Sequence, residues 1–265
     1  LLASFGAARC KVGKAAVTGE PVYLRLRDYV RYLLTTKDDG PLYLFDAGFA
    51  DPWHDANALE ADYAVPPPFA DDVFDVLSED PARPPHRWLI LGPPRAGSYV
   101  HVDPFGTSAW HTLLRGHKVW CLFPPGIPKA ALRPRHGGGG GGCDAAAWFS
   151  RVLPQLLRDD ARPKPLLLLQ RPGETVWVPA GWWHAVLNTR ASLAVTHNYA
   201  AAADFERVWQ RARASPALAA ALLPRLPPAL RERAERASAV SEPCYCSDSD
   251  SASSSSVVEE SEQQD

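Results

Sequence analysis

The stretch SYVHVDPFGTSAW, from Ser98 to Trp110, combines a candidate strand with two side chains that can bind a metal ion. Residues two positions apart on a β-strand point to the same face, so His101 and Asp103 project together while Val102 turns away. One imidazole and one carboxylate are two members of the two-histidine, one-carboxylate triad that holds non-haem Fe(II) with open coordination positions. A lone His-x-Asp pair is weak evidence and is more often incidental.

A candidate for the second histidine is His184, at the end of the run ETVWVPAGWWH. This run predicts a strand, a turn at Pro179-Ala180-Gly181, and an aromatic-rich strand that carries His184 inward. The alternative interpretation is a core histidine on a tryptophan-lined strand. The run alone does not decide between these two interpretations.

Lys118 follows a tight turn at Arg115-Gly116-His117 and opens the next candidate strand. A buried cation is costly unless it is paired, and the distal carboxylate of 2-oxoglutarate would pair it. Thr196, on the last candidate strand, can donate a hydrogen bond to the same carboxylate. The alternative is a surface lysine at a hairpin, which is the commoner situation for a lone lysine.

Short strands separated by turns dominate the chain from Arg87 onward, and this rhythm predicts a sandwich or barrel. Helices are predicted before, within and after this region, at Val22–Leu34, Ala145–Leu157, Ala203–Arg213 and Pro216–Arg236. The candidate strands are Arg87–Leu91, Ser98–Asp103, Ser108–Leu114, Lys118–Phe123, Pro165–Leu169, Thr175–Val178, Trp183–Leu187 and Ser192–Tyr199.

Composition excludes several classes of protein. The 265 residues are 46% hydrophobic with a formal net charge of -2, so no overall basic charge argues for nucleic-acid binding. Five scattered cysteines do not form a disulfide framework and favour a reducing compartment. No apolar run approaches the roughly 18 residues of a membrane span, and no secretory signal is evident, so no membrane partner is expected. Because the sequence contains no methionine, even at position 1, we expect the true start to lie upstream.

Several blocks of sequence, in this order, resemble the jumonji-C oxygenases, and within them the bifunctional arginine demethylases and lysyl hydroxylases. The resemblance extends from about Tyr23 to about Trp209. It also includes the Ser-rich acidic tail. The blocks are Pro41–Asp46, Arg87-Trp88, Gly92–Arg95, His101–Trp110, Gly116–Lys118, Trp120–Pro124, Pro172–Val176, Gly181–His184, and Thr196 with Asn198.

This resemblance implies a mainly β fold, a double-stranded β-helix of the jelly-roll or cupin-like type, with flanking N-terminal and C-terminal helices. It implies that the iron ligands, which are also the catalytic residues, are His101, Asp103 and His184. It implies contacts to 2-oxoglutarate from Lys118, Thr196 and Tyr43, and a substrate-side position for Asn198. Where the family has an asparagine beside the cosubstrate, this chain has His111, which still offers one hydrogen-bond donor.

The cofactors implied by the resemblance are Fe(II), 2-oxoglutarate as cosubstrate, and O₂. The implied reaction is hydroxylation of lysyl side chains in nuclear proteins, with demethylation of methylarginine as a second reaction. The expected partners are basic, Lys/Arg-rich nuclear or splicing proteins, with RNA association as a further expectation. The resemblance therefore predicts a nuclear protein and a chromatin regulator.

The predicted domain organisation has three parts. Residues 1–200 form an N-terminally truncated JmjC oxygenase domain with a flexible glycine-rich insertion at 136–143. Residues 201–236 form a C-terminal helical segment. Residues 237–265 form a disordered acidic, Ser-rich tail, since this composition buries too little apolar surface to fold.

Three alternatives stay open from the sequence. The chain can be a catalytically impaired JmjC-fold scaffold that acts by binding. It can be another metal-bearing jelly roll that needs no cosubstrate, such as a cupin isomerase or dioxygenase. It can also be a JmjC hydroxylase of RNA or of a small molecule. The sequence predicts no oligomeric state.

Overall fold

The structure is a computed structural model that describes residues 1–14, 18–50, 62–78, 80–132, 144–159 and 164–239. The predicted glycine-rich insertion at 136–143 and most of the predicted acidic tail lie outside these residues, and the predicted domain organisation stays a prediction. No helix in the described ranges is long and apolar enough to cross a membrane. Two described cysteines, Cys10 and Cys121, are buried and unpaired.

The described residues form eleven antiparallel strands in three sheets. The strands are β1 Arg9–Lys14, β2 Pro21–Arg25, β3 Leu44–Asp46, β4 Arg87–Gly92, β5 Gly97–His101, β6 Ser108–Arg115, β7 Lys118–Phe123, β8 Leu166–Gln170, β9 Thr175–Val178, β10 Trp183–Asn188 and β11 Ser192–Tyr199. A small sheet pairs β1 with β2, a second sheet has the order β5-β10-β7-β8, and a third has the order β3-β4-β11-β6-β9.

Helices flank the sheets in the N-terminal part, between β7 and β8, and after β11. A π-helical segment, Trp148–Val152, joins α3 to α4, and short 3₁₀ turns connect many of the other elements. The α-helices are α1 Leu2–Phe5, α2 Leu26–Thr35, α3 Ala145–Ala147, α4 Leu153–Arg158, α5 Phe205–Ala212, α6 Pro216–Leu222 and α7 Pro228–Ala239.

The two larger sheets pack face to face, and their strands alternate between this inner face and an outer face. The inner face carries an apolar core from both sheets, while the N-terminal residues cover the outer face of the five-stranded sheet and the α3–α4 region covers that of the four-stranded sheet. The predicted mainly β jelly-roll fold with flanking helices is therefore confirmed. The inner core includes Trp88, Ile90, Leu113, Ala194, Ala109, Trp120, Leu122, Val178 and Val186.

Gln170 links the two sheets where β8 ends. Its side chain is fully buried; Oε1 accepts a hydrogen bond from Trp120 Nε1 at 2.9 Å, and Nε2 donates to the carbonyls of His111 at 2.8 Å and Glu174 at 3.0 Å. Trp120 belongs to the four-stranded sheet and His111 to the five-stranded sheet. One amide therefore satisfies polar groups from both sheets at this edge.

The predicted helix Val22–Leu34 is wrong in its first part. Val22 to Arg25 belong to β2, which pairs with β1 so that Leu24 lies opposite Cys10, and the helix begins at Leu26. The apolar spacing of this segment fits a helix, but pairing with a preceding strand overrides that local preference.

The predicted helix Pro216–Arg236 is interrupted between α6 and α7. Prolines at 224, 227 and 228 lie at this break, and proline has no N–H for an intrahelical hydrogen bond.

Replacing Gln170 by leucine is expected to lower the free energy of unfolding by about 2–4 kcal/mol, because Trp120 Nε1 and two backbone carbonyls lose their partner in a buried place. Urea unfolding measures this change. Leu169→Gln is the matched control, since this neighbouring side chain is 45% exposed and is expected to change stability by at most about 0.5 kcal/mol. Equal effects of the two substitutions would contradict the linking role of Gln170.

Candidate active site

The three predicted metal ligands come together between the two sheets. His101 ends β5 and lies opposite His184 of β10 in the strand register. Asp103 follows two residues after β5, and its Oδ1 is 3.6 Å from His101 Nε2 and 3.7 Å from His184 Nε2. One ligand atom from each residue lies within 4.8 Å of the other two, a spacing suited to a single ion.

Main-chain carbonyls orient both imidazoles. His101 Nδ1 is 2.6 Å from the carbonyl oxygen of Tyr99, and His184 Nδ1 is 3.2 Å from that of Trp182. A carbonyl can only accept, so each Nδ1 carries a hydrogen, and in the neutral ring each Nε2 keeps its lone pair. This arrangement presents both Nε2 atoms as metal ligands, as hydrogen-bonded histidines do in metal sites.

The charges of the three side chains also suit a metal ion. Burial, reinforced by neighbouring His101, lowers the pKa of His184 to about 4, so this imidazole is neutral near pH 7. Burial opposes ionisation of Asp103, yet the two imidazoles hold the pKa of its carboxyl below the usual value. The site therefore offers a neutral imidazole and a carboxylate. For His101, burial lowers the pKa, but Asp103 raises it more, with a net rise.

Asp103 Oδ2 supports the assignment of a cation to this site. The atom is buried, and it has no hydrogen-bond partner among the described residues. Buried polar atoms are almost always satisfied, so an unpartnered oxygen on a carboxylate whose other oxygen lies near two imidazole nitrogens fits a bound cation. Two histidines and one carboxylate with open positions are the ligand set of non-haem Fe(II) sites, so the residues present fit Fe(II).

Lys118 occupies a second polar region of the inner face. Its side chain is fully buried, and Nζ donates to the Tyr43 hydroxyl at 3.0 Å and to Asn188 Oδ1 at 2.7 Å. None of the described carboxylates pairs with it, and burial lowers its pKa to about 7. A buried lysine held by neutral groups alone fits an anionic ligand.

Tyr43 forms the wall of this region opposite Asn188. The Lys118 ammonium lies over the Tyr43 ring, with Nζ 5.4 Å from the ring centroid. Burial raises the pKa of the Tyr43 phenol, so the hydroxyl stays protonated. Gly92 makes this packing possible, because a Cβ there would lie 2.6 Å from the Tyr43 ring and 2.9 Å from Asn188 Nδ2.

His111 and Thr196 lie opposite each other on the inner face of the five-stranded sheet. Burial, with the nearby Lys118 charge, holds the pKa of His111 well below its usual value, and its buried Nδ1 has no partner among the described residues. The Thr196 hydroxyl donates to the carbonyl of Trp110 at 2.7 Å. His111 therefore has an unused polar atom in this region, whereas the Thr196 hydroxyl is engaged by the main chain.

Asn198 lies two residues after Thr196 on β11. Its Nδ2 donates to Thr107 Oγ1 at 3.0 Å, and its amide also contributes to the low pKa of Asp103. Asn198 and Thr107 line a pocket whose empty space, including its solvent-open mouth, is about 260 Å³. The other lining residues are Phe74, Pro84, Pro85, His86, Pro104 and Phe105.

Two residues near the site were missed by sequence reasoning. Asn188 holds Lys118, and Trp120 stacks on His184 with ring centroids 6.1 Å apart. Asn188 was left outside the predicted strand Trp183–Leu187. Only the pairing of β10 with β7, which sets Asn188 opposite Lys118, reveals its role.

Comparison with known proteins agrees with this geometry. The family described as JmjC domain, hydroxylase, matches residues 88–199, a span that includes the candidate metal ligands and Lys118. This part of the chain is a JmjC domain. The JmjC domain runs from β4 to the end of β11, so it contains both inner faces except for β3 and Tyr43.

Several curated relatives extend the similarity beyond the JmjC domain. The chain is 43% identical over 197 residues to the bifunctional arginine demethylase and lysyl-hydroxylase psr-1 of Caenorhabditis elegans, which covers 73% of this chain and 48% of the worm protein. It is 42% identical over 183 residues to the lysine-specific demethylase JMJ21 of Arabidopsis thaliana, covering 67% of this chain and 19% of the plant protein.

A more distant relative is the 2-oxoglutarate and iron-dependent oxygenase JMJD4 of Mus musculus. The identity is 30% over 208 residues, covering 71% of this chain and 44% of the mouse protein. The chain thus spans about half the length of relatives such as psr-1, with 48% of the worm protein covered.

Asp103→Asn is expected to weaken metal binding by about 100-fold or more, because it removes the negative charge shared by the two histidines. Calorimetric titration with Mn²⁺, which resists oxidation, measures the affinity. Asp71→Asn is the control, since Asp71 is exposed and is expected to leave the affinity unchanged. Unaltered Mn²⁺ affinity in Asp103→Asn would contradict the assignment.

Lys118→Met is expected to change the pH dependence of stability in the ligand-free chain. The folded pKa of Lys118 is about 7 against 10.5 for an ordinary lysine, so the unfolded chain binds more protons between these values. The parent therefore gains stability as pH rises from 7 to 10.5, and the variant lacks this gain.

As the pH falls from 10.5 to 7, the free energy of unfolding of Lys118→Met is expected to increase relative to that of the parent by about 1–4 kcal/mol. Urea unfolding at several pH values measures this difference. The control Lys37→Met, at an exposed position, is expected to show no such trend. A difference between parent and Lys118→Met that does not vary with pH would show that burial does not lower the pKa of Lys118.

Proposed function

We propose that this chain is an Fe(II)- and 2-oxoglutarate-dependent protein oxygenase that hydroxylates lysyl side chains and, as a second reaction, demethylates methylarginine. The observation that carries the proposal is the pairing, on one inner face, of a metal-ligand triad with a fully buried lysine that lacks a described acidic partner. The names of the relatives psr-1 and JMJD4 support both the cosubstrate and the protein substrate.

Strand β10 relates the two halves of the site. His184 and Asn188 are four residues apart on the same face of this strand, and Asn188 holds Lys118. Four residues of a strand span about 13 Å, which leaves room between the triad and the lysine for a five-carbon dicarboxylate. Lys118 and the protonated Tyr43 phenol would bind its distal carboxylate.

The iron with its cosubstrate and the side chains of the protein would contribute different parts of the reaction. Iron with 2-oxoglutarate and O₂ supplies the oxidising power, and the cosubstrate leaves as succinate and CO₂. His101, Asp103 and His184 would hold the metal, and a three-residue ligand set would leave coordination positions open for the cosubstrate and O₂. Asn188 accepts a hydrogen bond from the Lys118 ammonium and so would help to orient a cosubstrate bound to this lysine.

The apolar inner face keeps water away from the reacting groups. Trp120 covers one face of the His184 ring, and Trp88 and Ile90 line the opposite sheet. In such a site charged interactions are stronger than in water, and the oxidant is protected from side reactions. The Asn198 pocket beside Asp103 is the proposed entry for the substrate side chain.

The substrate part of the proposal concerns basic, Lys/Arg-rich proteins of the nucleus, including splicing proteins, with RNA association and a role in chromatin regulation as further parts. The relatives named as an arginine demethylase and lysyl-hydroxylase and as a lysine-specific demethylase support arginine or lysine side chains as targets. A nuclear location follows from this substrate class and is itself a proposal.

The experiment that tests the function is mass spectrometry of basic peptides incubated with the chain, Fe(II) and 2-oxoglutarate. A gain of one oxygen atom on lysine supports hydroxylation, and loss of a methyl group from methylarginine, with release of formaldehyde, supports demethylation. His184→Ala is the control and is expected to abolish both. Modification that persists without added 2-oxoglutarate would contradict the proposal.

Lys118→Ala is expected to lower kcat/KM by at least about 100-fold, because the distal carboxylate loses its charged partner. A jelly-roll enzyme without a cosubstrate would keep its turnover in this variant.

A scaffold would show no visible metal-to-ligand absorption band on anaerobic addition of Fe(II) and 2-oxoglutarate to the parent chain. An RNA or small-molecule hydroxylase would form this band but leave the peptides unmodified.

A further inference from the structure

The helices after β11 carry seven arginines between residues 201 and 239. Five of them have partners within the described part of the chain, either carboxylates or main-chain carbonyls: Arg213, Arg225, Arg231, Arg233 and Arg236. Arg207 and Arg211 form no ion pair with a described carboxylate. Both lie on α5, one helical turn apart, with Arg207 exposed and Arg211 half-buried.

These two arginines overlie the turns that hold the metal ligands. A Cβ added at Gly106, three residues after Asp103, would lie 3.1 Å from Arg211 Cζ, and one at Gly181, three residues before His184, would lie 3.2 Å from Arg207 Nη1. Both glycines have positive φ, 66° and 76°, so larger residues are disfavoured there. Two cations without a described acidic partner therefore border the proposed site.

This positive charge conflicts with the proposed substrate. Lysyl and methylarginyl side chains are cationic, and like charges near the site reduce the local concentration of a basic peptide. An anionic partner over Arg207 and Arg211 would reverse this effect. Arginine pairs with carboxylates through well-directed hydrogen bonds, so an acidic segment is a suitable partner.

The chain itself carries such a segment. Residues 240–265 contain seven Asp and Glu residues and no Lys or Arg. The segment follows directly after α7, whose end is hydrogen-bonded to α5 and its C-cap: Trp209 Nε1 donates to Ser238 Oγ at 3.0 Å, and the C-cap residue Arg213 donates to the carbonyl of Ala237 at 3.4 Å. Arg211 and Arg207 lie within about 9 Å of Arg213 along the same helix, so the segment begins close to both.

We propose that the acidic segment 240–265 binds in cis to Arg207 and Arg211 and makes the border of the active site attractive to basic protein substrates. The binding in cis is independent of the reaction, whereas its effect on substrates rests on the proposed function. The surface is the exposed side of α5, and its occupant is part of the same chain. The attraction is electrostatic, so salt weakens it.

Arginine footprinting of the full chain tests the contact. The parent is compared with a full-length variant in which all seven acids of the segment become Gln or Asn, and phenylglyoxal modification is quantified by mass spectrometry. Arg207 and Arg211 are expected to react several-fold faster in the neutralised variant, and in the parent at high salt. Arg190, exposed in the bend between β10 and β11, is the control and is expected to react equally in both.

Equal reactivity of Arg207 and Arg211 in the two proteins would overturn the proposal. Protection that disappears on dilution would also overturn it, because the segment would then be binding a second copy of the chain. Circular dichroism of both proteins establishes that the substitutions leave the fold intact, so a change in reactivity reports the contact.

Kinetics with full-length proteins tests the effect on substrates. Neutralising the segment is expected to raise KM about tenfold for a basic peptide, with little change for a peptide of neutral flanks and with kcat unchanged. In an Arg207→Gln, Arg211→Gln background the same neutralisation is expected to have no effect. A fall in KM on neutralisation would show that the segment blocks the site and would overturn the attraction. Absence of turnover in every protein would overturn the proposed function while leaving the footprint result valid.

Discussion

Strand β10 pairs with β5 on one side and with β7 on the other, and the site depends on this double register. The pairing sets His184 opposite His101, and Asn188 opposite Lys118. Because side chains alternate along a strand, a slip of one residue would turn His184 and Asn188 to the outer face together. The apolar neighbours of β10 prevent this slip: Val186 belongs to the inner core, and Trp183 and Ala185 pack against the helices outside. Packing on both faces of one strand thus secures both the triad and the lysine.

The polar groups of the site are costly to bury, and the fold offsets only part of this cost. Two carbonyls satisfy the outer nitrogens of the histidines, and Tyr43 and Asn188 satisfy part of the Lys118 ammonium. Asp103 Oδ2 and His111 Nδ1 are left without described partners. The neutral imidazole of His111 presents one donor and one acceptor. The unpartnered atoms thus lie where a metal ion and a dicarboxylate would supply partners.

Much of the architecture was readable from the sequence because it follows local rules. The His-x-Asp spacing predicts a shared face, and the turn at Arg115-Gly116-His117 predicts that Lys118 opens a strand, as it does in β7. Properties that depend on contacts between segments far apart in the sequence could not be predicted from it. No local pattern indicates that Asn188 holds Lys118, or that the Thr196 hydroxyl donates to a main-chain carbonyl. For the same reason the first residues of the predicted helix at Val22 form a strand instead.

The burial of Lys118 links the stability of the folded chain to the concentration of the ligand that pairs with this lysine. A ligand that binds the folded chain alone shifts the folding equilibrium in proportion to its concentration. Because none of the described carboxylates pairs with Lys118, a bound dicarboxylate would stabilise the folded chain as well as serve as a reactant. The amount of folded protein, and its resistance to proteolysis, would then rise and fall with the supply of a central metabolite. Nutrient state would in this way set how much enzyme survives as well as how fast each molecule works.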